Sequence, residues 1–501
     1  MNLFDLFLIP KTRTPDKVAL HFSSDDGECS YTYRELYAAV DALASGLQAW
    51  GLCKGDRVAF FAGNSPEFVI TYLAVIRLGA IMVPINLRYR RIELAHILAD
   101  STPRLLLTER SMLPLLEEIG AEKASVEALL LVDECEQWMG SPGDLRPPLV
   151  ESDDLALIMY TSGTTGRSKG AMISHNNVLA TISGLLAAWA WQKEDRLLLV
   201  LPLFHTHGLV VGLHCSLAAG ATTLLRPHFD ATSVEDLLGG EATIFFAVPT
   251  IYVRLVDELR TRFALSLSQM RLFCSGSAPL APETFHAFQE LTGHTILERY
   301  GMTETGMNLS NPYAGPRVAG SVGTPLPGVS MRIVKVAAAG GLQDVVVGDE
   351  GELLVRGGNV CRGYWNAPEK SAASFSHDEM GQQWFHTGDL ARQAPATGYV
   401  TLLGRRHELI ISGGFNIYPR EIEEMLVTFP GVKEAAVIGM KHAEWGEVPA
   451  AYLVCDGSLD QDALIAYCRS QLASFKVPRA IHLLDELPRN AMGKVQKNLL
   501  K

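Results

Sequence analysis

Residues 160–175 read Tyr-Thr-Ser-Gly-Thr-Thr-Gly-Arg-Ser-Lys-Gly-Ala-Met-Ile-Ser-His. Ser162, Thr164, Thr165 and Ser168 supply hydroxyl donors. Gly163, Gly166 and Gly170 allow tight turns that expose backbone N–H groups. Arg167 and Lys169 add positive charge. Such a loop suits a polyphosphate. It is not a Walker A loop, because Lys169 follows Ser168 and precedes Gly170, so the Gly-Lys-Ser/Thr ending is missing. A helix-like segment, Asn176 to Trp191, comes next, and its N-terminus is expected to add its dipole.

Four further segments carry candidate chemistry. In Arg299-Tyr-Gly-Met-Thr-Glu-Thr a hydroxyl and a carboxylate follow a glycine. Thr303 suits a phosphoryl oxygen and Glu304 suits Mg²⁺, although the pair read alone also fits a helix cap. Trp384-Phe-His-Thr-Gly-Asp389 ends in an acid able to accept two ribose hydroxyls, or forms a plain Gly-Asp turn. Gly404-Arg-Arg-His-Glu408 offers Arg405 to a ribose or phosphate, or a solvated linker charge. Leu487-Pro-Arg-Asn-Ala-Met-Gly-Lys494 places a lysine after a glycine, a pattern that out of context is a surface group.

The elements that must position these residues alternate between strand and helix. Tyr33–Trp50 has helical spacing (Leu36, Val40, Leu43, Leu47) and stops at Gly51. Short apolar strands are expected at 57–61, 81–85, 105–108, 128–132, 155–159 and 244–248, with a helix opening at Asn64-Ser-Pro-Glu. This alternation predicts an α/β fold with largely parallel sheets. From Gly320 to Leu403 short β-rich runs separated by Gly and Pro predict a small β subdomain. Helices and strands resume after Gly404 (Pro419–Phe429, Val432–Gly439, Asp460–Leu472).

With 501 residues, two to four structural units are expected. The formal charge of −12 argues against a nucleic-acid partner. From Gly404 onward 12 Lys/Arg balance 12 Asp/Glu, so the first 403 residues carry the whole −12 and a separate C-terminal module is expected. Eight scattered cysteines without a C-x-x-C pair fit free thiols of a reducing compartment, the cytoplasm. The apolar N-terminus is short and lacks a basic leader, and no stretch reads as a membrane span.

Taken in order, Tyr160–His175, Arg299–Thr305, Thr387–Asp389, Gly404–Glu423 and Pro488–Lys494 resemble the acyl- and aryl-CoA synthetases, peptide-synthetase adenylation domains and beetle luciferases. The resemblance covers nearly the full length. It implies a large N-terminal domain of layered α/β subdomains plus a small β subdomain (1–403), then a small mobile α+β C-terminal domain (404–501) turning about a hinge near 404–408. His407 stands where the family commonly has Asp or Lys. It implies ATP and CoA as co-substrates, with Mg²⁺ on Glu304. Thr161, Ser162, Gly163, Thr164, Thr165, Gly166 and Lys169 would hold phosphates. Gly276, Ser277 and Ala278 would line adenine, with Tyr300 stacked on it and Gly301 and Thr303 beside. Asp389 and Arg405 would fix the ribose. Lys494 would act in adenylation, and Ser412, Gly413 and Gly414 would line a CoA tunnel.

The acid is expected to be charged at both ends. Pro202-Leu-Phe-His-Thr-His-Gly208 carries His205 and His207, Arg299 precedes Tyr300, and Arg254 follows Pro249-Thr-Ile-Tyr252. A buried unpaired cation costs on the order of several kcal/mol, which a second substrate carboxylate would offset. Glu298–Tyr313, Ser275–Leu280 and Leu487–Asn498 look like those of malonyl-CoA synthetases. The expected substrate is malonate, with methylmalonate as a further candidate. The alternatives are a CoA ligase for another short or medium acid, or an enzyme charging a carrier-protein thiol.

Overall fold

The computed structural model describes residues 1–161, 168–261, 267–336, 341–412, 415–442, 445–457, 459–472, 474–490 and 493–500. Two sheets with parallel cores dominate. The first runs Ala128–Leu131, Leu105–Thr108, Arg57–Phe61, Ile81–Pro84, Leu155–Thr161 and Lys169–Ser174, parallel at every junction but the last. The second aligns Leu297–Met302, Leu272–Ser275, Ile244–Ala247, Arg196–Leu199, Thr222–Leu225 and Val18–Ser24, all parallel, with antiparallel strands at both edges. Most of the central strands are buried along their length, the signature of sheets covered on both faces.

Local rules explain the covering helices. Tyr33–Trp50 starts on a reciprocal Thr32–Glu35 capping box and ends at Gly51, whose φ of +105° closes the helix without a Cβ penalty. Pro66–Arg77 starts on the Ser65 side chain with Pro66 in its first turn.

One expectation is corrected. The segment after the Ser/Gly/Thr-rich loop is first a strand, Lys169–Ser174, paired antiparallel with Leu155–Thr161. The helix His175–Ala188 follows it on the Ser174 cap, where Asn176 to Trp191 was expected. Six residues of strand span about 20 Å, so this helix terminus cannot lend its dipole to a ligand in the loop. In the expected phosphate role, the residues between these two paired strands would rely on their own amides, hydroxyls and cations.

Val329–Val336, Glu350–Gly357, Gln383–Gln393 and Val400–Arg405 pair antiparallel in the expected small β subdomain. Beyond it Ile410–Ser412, Phe415–Ile417, Val432–His442, Gly446–Cys455 and Ala480–Leu483 form a further sheet. The helices Pro419–Leu426 and Gln461–Gln471 pack on it around a separate core of Ile410, Ile422, Leu426, Val437, Leu453 and Leu464. No helix among the described residues is long and apolar enough to cross a membrane. All eight cysteines are free.

Candidate active site

Parallel strands of the second sheet deliver their carboxyl ends to one side, where α/β sheets hold ligands. Arg299 and Tyr300 lie on Leu297–Met302, and Gly276 to Ala278 follow Leu272–Ser275. His205 and His207 follow Arg196–Leu199.

Ser162, Gly163, Thr164, Thr165 and Gly166 lie outside the described residues, but the paired strands on either side of them are placed. Thr161 Oγ1 donates to Glu304 Oε1 at 3.1 Å. Tyr364 Oη donates to the same oxygen at 3.1 Å. Lys169 Nζ lies 5.4 Å from the centre of the Tyr364 ring, and burial lowers its pKa. Glu304, in the turn after Leu297–Met302, is buried and follows half-buried Thr303. Tyr364 was missed in the sequence. It joins Glu304 to the exit strand, because Trp365 N donates to Gly170 O and Ala171 bridges to Tyr364. No local pattern around Gly363-Tyr-Trp signals that role. No three acids, histidines or cysteines cluster as a metal centre among the described residues. A single carboxylate completed by phosphate oxygens and water still fits Mg²⁺, which keeps several waters and usually takes one or two carboxylates.

A second group is built on Asp389. Tyr300 Oη donates to Asp389 Oδ2 at 2.5 Å, and Arg405 Nε sits 2.9 Å from Asp389 Oδ1. Arg405 lies directly opposite Asp389 in the ladder, and its Nη1 donates to Thr387 O at 3.0 Å. Burial raises the Asp389 pKa, opposed by Arg405, the Tyr300 hydroxyl and Lys494. Lys494 is thus brought to this group. Its pKa is lowered by burial and then by Arg405, while Asp389 and Glu408 raise it. The preceding Gly493 has φ +74°, and a Cβ there would stand 2.8 Å from Thr250 Oγ1. Gly301 is likewise obligatory, since a Cβ would meet Gly306 O at 2.1 Å. Ser412 is buried at the end of Ile410–Ser412, while Gly413 and Gly414 lie outside the described residues.

The third group is cationic. Arg299 is only 4% exposed, and its Nε and Nη2 have no hydrogen-bond partner. Burial lowers its pKa, with the Cys274 thiol as an opposing neighbour. His207 is buried with Nε2 unpartnered, and its Nδ1 lies 3.3 Å from Ser277 Oγ. Burial and then Arg299 push half-buried His205 down to about 4, and hold His207 well below its ordinary value. Both rings are therefore neutral near pH 7 and can donate or accept. Ser277 holds φ +72°, a conformation that disfavours non-glycine residues, so its hydroxyl sits there at a conformational cost. A Cβ on Gly276 would fall 2.5 Å from Arg299 Cζ, so that glycine is the seat of the guanidinium. Gly276 and Ser277, expected beside the base, thus also build the cation site, with half-buried Ala278 next in the turn. Phe246 backs it, 6.3 Å from the His207 ring and 5.4 and 5.9 Å from Trp189 and Trp191.

Arg254 does not join this group. The helix Pro249–Leu259 buries Tyr252, Leu255, Val256 and Leu259, and Arg254 falls off that face. It is exposed, with its guanidinium 4.8 Å over the Phe229 ring.

Comparison with known families matches residues 10–365 to the AMP-binding enzymes and 421–494 to the AMP-binding enzyme C-terminal domain. The chain belongs to the AMP-binding enzyme family. It is 38% identical over 512 residues to the mitochondrial malonate–CoA ligase ACSF3 of Mus musculus, covering 94% of this chain and 86% of the relative. It is 36% identical to a feruloyl-CoA synthase of an Amycolatopsis species, covering 94% and 93%. The structure of ATP-bound MatB from Rhodopseudomonas palustris superposes with a TM-score of 0.90 at 39% identity, over 100% of this chain and 98% of that one. This AMP-binding enzyme is therefore an AMP-forming acyl-CoA synthetase, with a large N-terminal and a small C-terminal domain. Its relatives differ in their acids, so the cation group must be weighed for itself.

Proposed function

We propose that this synthetase ligates malonate to CoA, with methylmalonate as a further substrate. The observation that carries the reading is Arg299, buried with its Nε and Nη2 unpartnered, beside His207, His205 and Ser277. A guanidinium cannot shed its charge, so burial without an acceptor is costly unless a ligand supplies one. A carboxylate can take the fork of Arg299 while neutral His207 or the Ser277 hydroxyl donates to it. Phe246, stacked against the His207 ring, would favour a short acid over a long or bulky one.

In the first half-reaction the other carboxylate attacks the α-phosphorus of ATP. A bond forms from carboxylate oxygen to phosphorus, and the bond to the β-phosphate bridging oxygen breaks, releasing pyrophosphate. The carboxylate is already ionised near neutral pH and needs no base. Catalysis is then alignment and charge neutralisation. The 161–169 loop would hold the β- and γ-phosphates, Tyr300 would stack on adenine, and Asp389 with Arg405 would hold the ribose. Lys494 would neutralise charge at the reacting oxygens. Mg²⁺ held at Glu304 would supply further neutralisation of the phosphates. In the second half the C-terminal domain turns about a hinge near 404–408, Lys494 withdraws, and Ser412 with Gly413 and Gly414 lines the approach of CoA. The thiol sulfur adds to the acyl carbon, AMP leaves with the electron pair, and the thiol proton is released.

The deciding experiment is CoA-dependent AMP release measured over a panel of oxalate, malonate, methylmalonate, succinate, butyrate and ferulate. Malonate should give the highest kcat/KM, and equal rates with butyrate and malonate would overturn the reading. The Glu304 support is separately testable. Tyr364→Phe removes one of two donors to that carboxylate, and a hydrogen bond to a charged acceptor is worth ~1.5 kcal/mol. The KM for MgATP should rise roughly tenfold with a steeper dependence on free Mg²⁺; an unchanged Mg²⁺ titration would remove Tyr364 from the site.

A further inference from the structure

Three residues beyond Lys494, the Lys497 ammonium is shared by two carboxylates. It sits 2.6 Å from Glu423 Oε1 and 3.2 Å from Glu408 Oε2, with little of the side chain exposed. Burial lowers its pKa, but the two glutamates outweigh burial and the net shift is upward. Each carboxylate belongs to a different element. Glu423 lies in the helix Pro419–Leu426 and also accepts from Val437 N at 2.7 Å, so it is fixed to the C-terminal core. Glu408 ends the short turn Arg406–Glu408, which follows the strand carrying Arg405. It is close enough to Asp389, Arg405 and Lys494 to act on their charge.

The hairpin around Lys494 does not need Lys497 to form. Asn490 N donates to Lys494 O at 2.9 Å, Lys494 N returns to Asn490 Oδ1 at 2.9 Å, and Gln496 N donates to Pro488 O at 2.7 Å. Arg489 fastens the other limb to Glu434 at 2.9 Å. Lys497 instead decides where this preformed hairpin lies relative to the turn at Glu408. We infer that Lys497 is a positioning residue for adenylation: by bridging Glu408 and Glu423 it ties the hinge-side turn to the lysine hairpin, so that Lys494 is presented to Asp389 and Arg405 in this domain arrangement. The inference rests on the proposed role of Lys494.

The test separates the half-reactions in the full-length enzyme. Adenylation is read as carboxylate-dependent ATP–pyrophosphate exchange, with whichever acid the enzyme turns over. Thioester formation is read as CoA-dependent AMP release from supplied acyl-adenylate. A misplaced catalytic group costs on the order of 10²-fold, so Lys497→Met should lower exchange by about that factor. Thioester formation should stay within about twofold of wild type, because Lys494 has then withdrawn. Lys497→Arg, which keeps a cation between the carboxylates, should restore most of the exchange. Glu408→Gln, which leaves the Lys497–Glu423 pair intact, should reproduce the selective loss. Parallel losses in both half-reactions, an unchanged exchange rate in Lys497→Met, or full exchange in Glu408→Gln would each overturn the inference. Lys494→Met serves as the reference. If it retains exchange, the underlying reading of Lys494 fails; if it loses exchange while Lys497→Met does not, only the positioning inference fails.

Discussion

Replacing Arg299 with Met is expected to lower kcat/KM for malonate by roughly 10²–10⁴-fold. Removing one partner of a buried charge pair costs ~3–5 kcal/mol, and each ~1.4 kcal/mol is a factor of ten. Methionine keeps the chain length while removing the fork, so packing against Gly276 is disturbed little. Adenylation of butyrate should hold steady or rise, because the buried cation that penalises an apolar end is gone. Loss of activity with every acid alike would mean that Arg299 is structural. Retention of malonate use within about threefold would remove it from the acid pocket. Gly276→Ala supplies an independent arm. Its Cβ would stand 2.5 Å from the guanidinium carbon, so Arg299 must move although its charge is kept. Malonate use should fall in that variant as well, and the preference between acids should narrow.

How much of this was legible in the sequence follows from how local each feature is. The expected phosphate loop stands out in the sequence because its hydroxyls, glycines and cations are contiguous. The parallel sheets are equally readable, since a strand such as 244–247 is an unbroken apolar run between helices. The error at 169–174 has a physical cause. Lys-Gly-Ala-Met-Ile-Ser alternates too weakly to declare a strand, and only its pairing with Leu155–Thr161 makes it one. The proposed acid site is less local still. Arg299, His207 and Ser277 meet because three parallel strands end together, and the histidine and arginine types could be flagged without their orientation. Arg254 illustrates the limit, since residue type and motif put it in the pocket while the apolar face of its own helix turns it toward Phe229. Tyr364 lies 60 residues from the glutamate it supports, a pairing that no spacing rule reaches.

Replacing Lys494 with Met is expected to reduce adenylation by roughly 10²–10³-fold, the usual effect of deleting one preorganised donor at a developing charge. Thioester formation from supplied acyl-adenylate should be nearly unaffected. The two effects together distinguish a group needed in one domain orientation from a residue that merely stabilises the C-terminal domain, which would impair both. The pH dependence gives a second readout. Burial lowers the Lys494 pKa, Arg405 adds to that, and Lys497 acts in the same sense, while Asp389 and Glu408 oppose. The protonated ammonium is the useful form. Adenylation should therefore fall as pH rises through a value below the 10.5 of an ordinary lysine, whereas the CoA step should lack that alkaline limb. An Arg at this position would keep its charge throughout that range. Lys494→Arg should thus lose the alkaline limb even where its geometry is poor and its rate low. If wild type and Lys494→Arg share the same alkaline limb, another group titrates, and Lys494 is not the cation that adenylation requires.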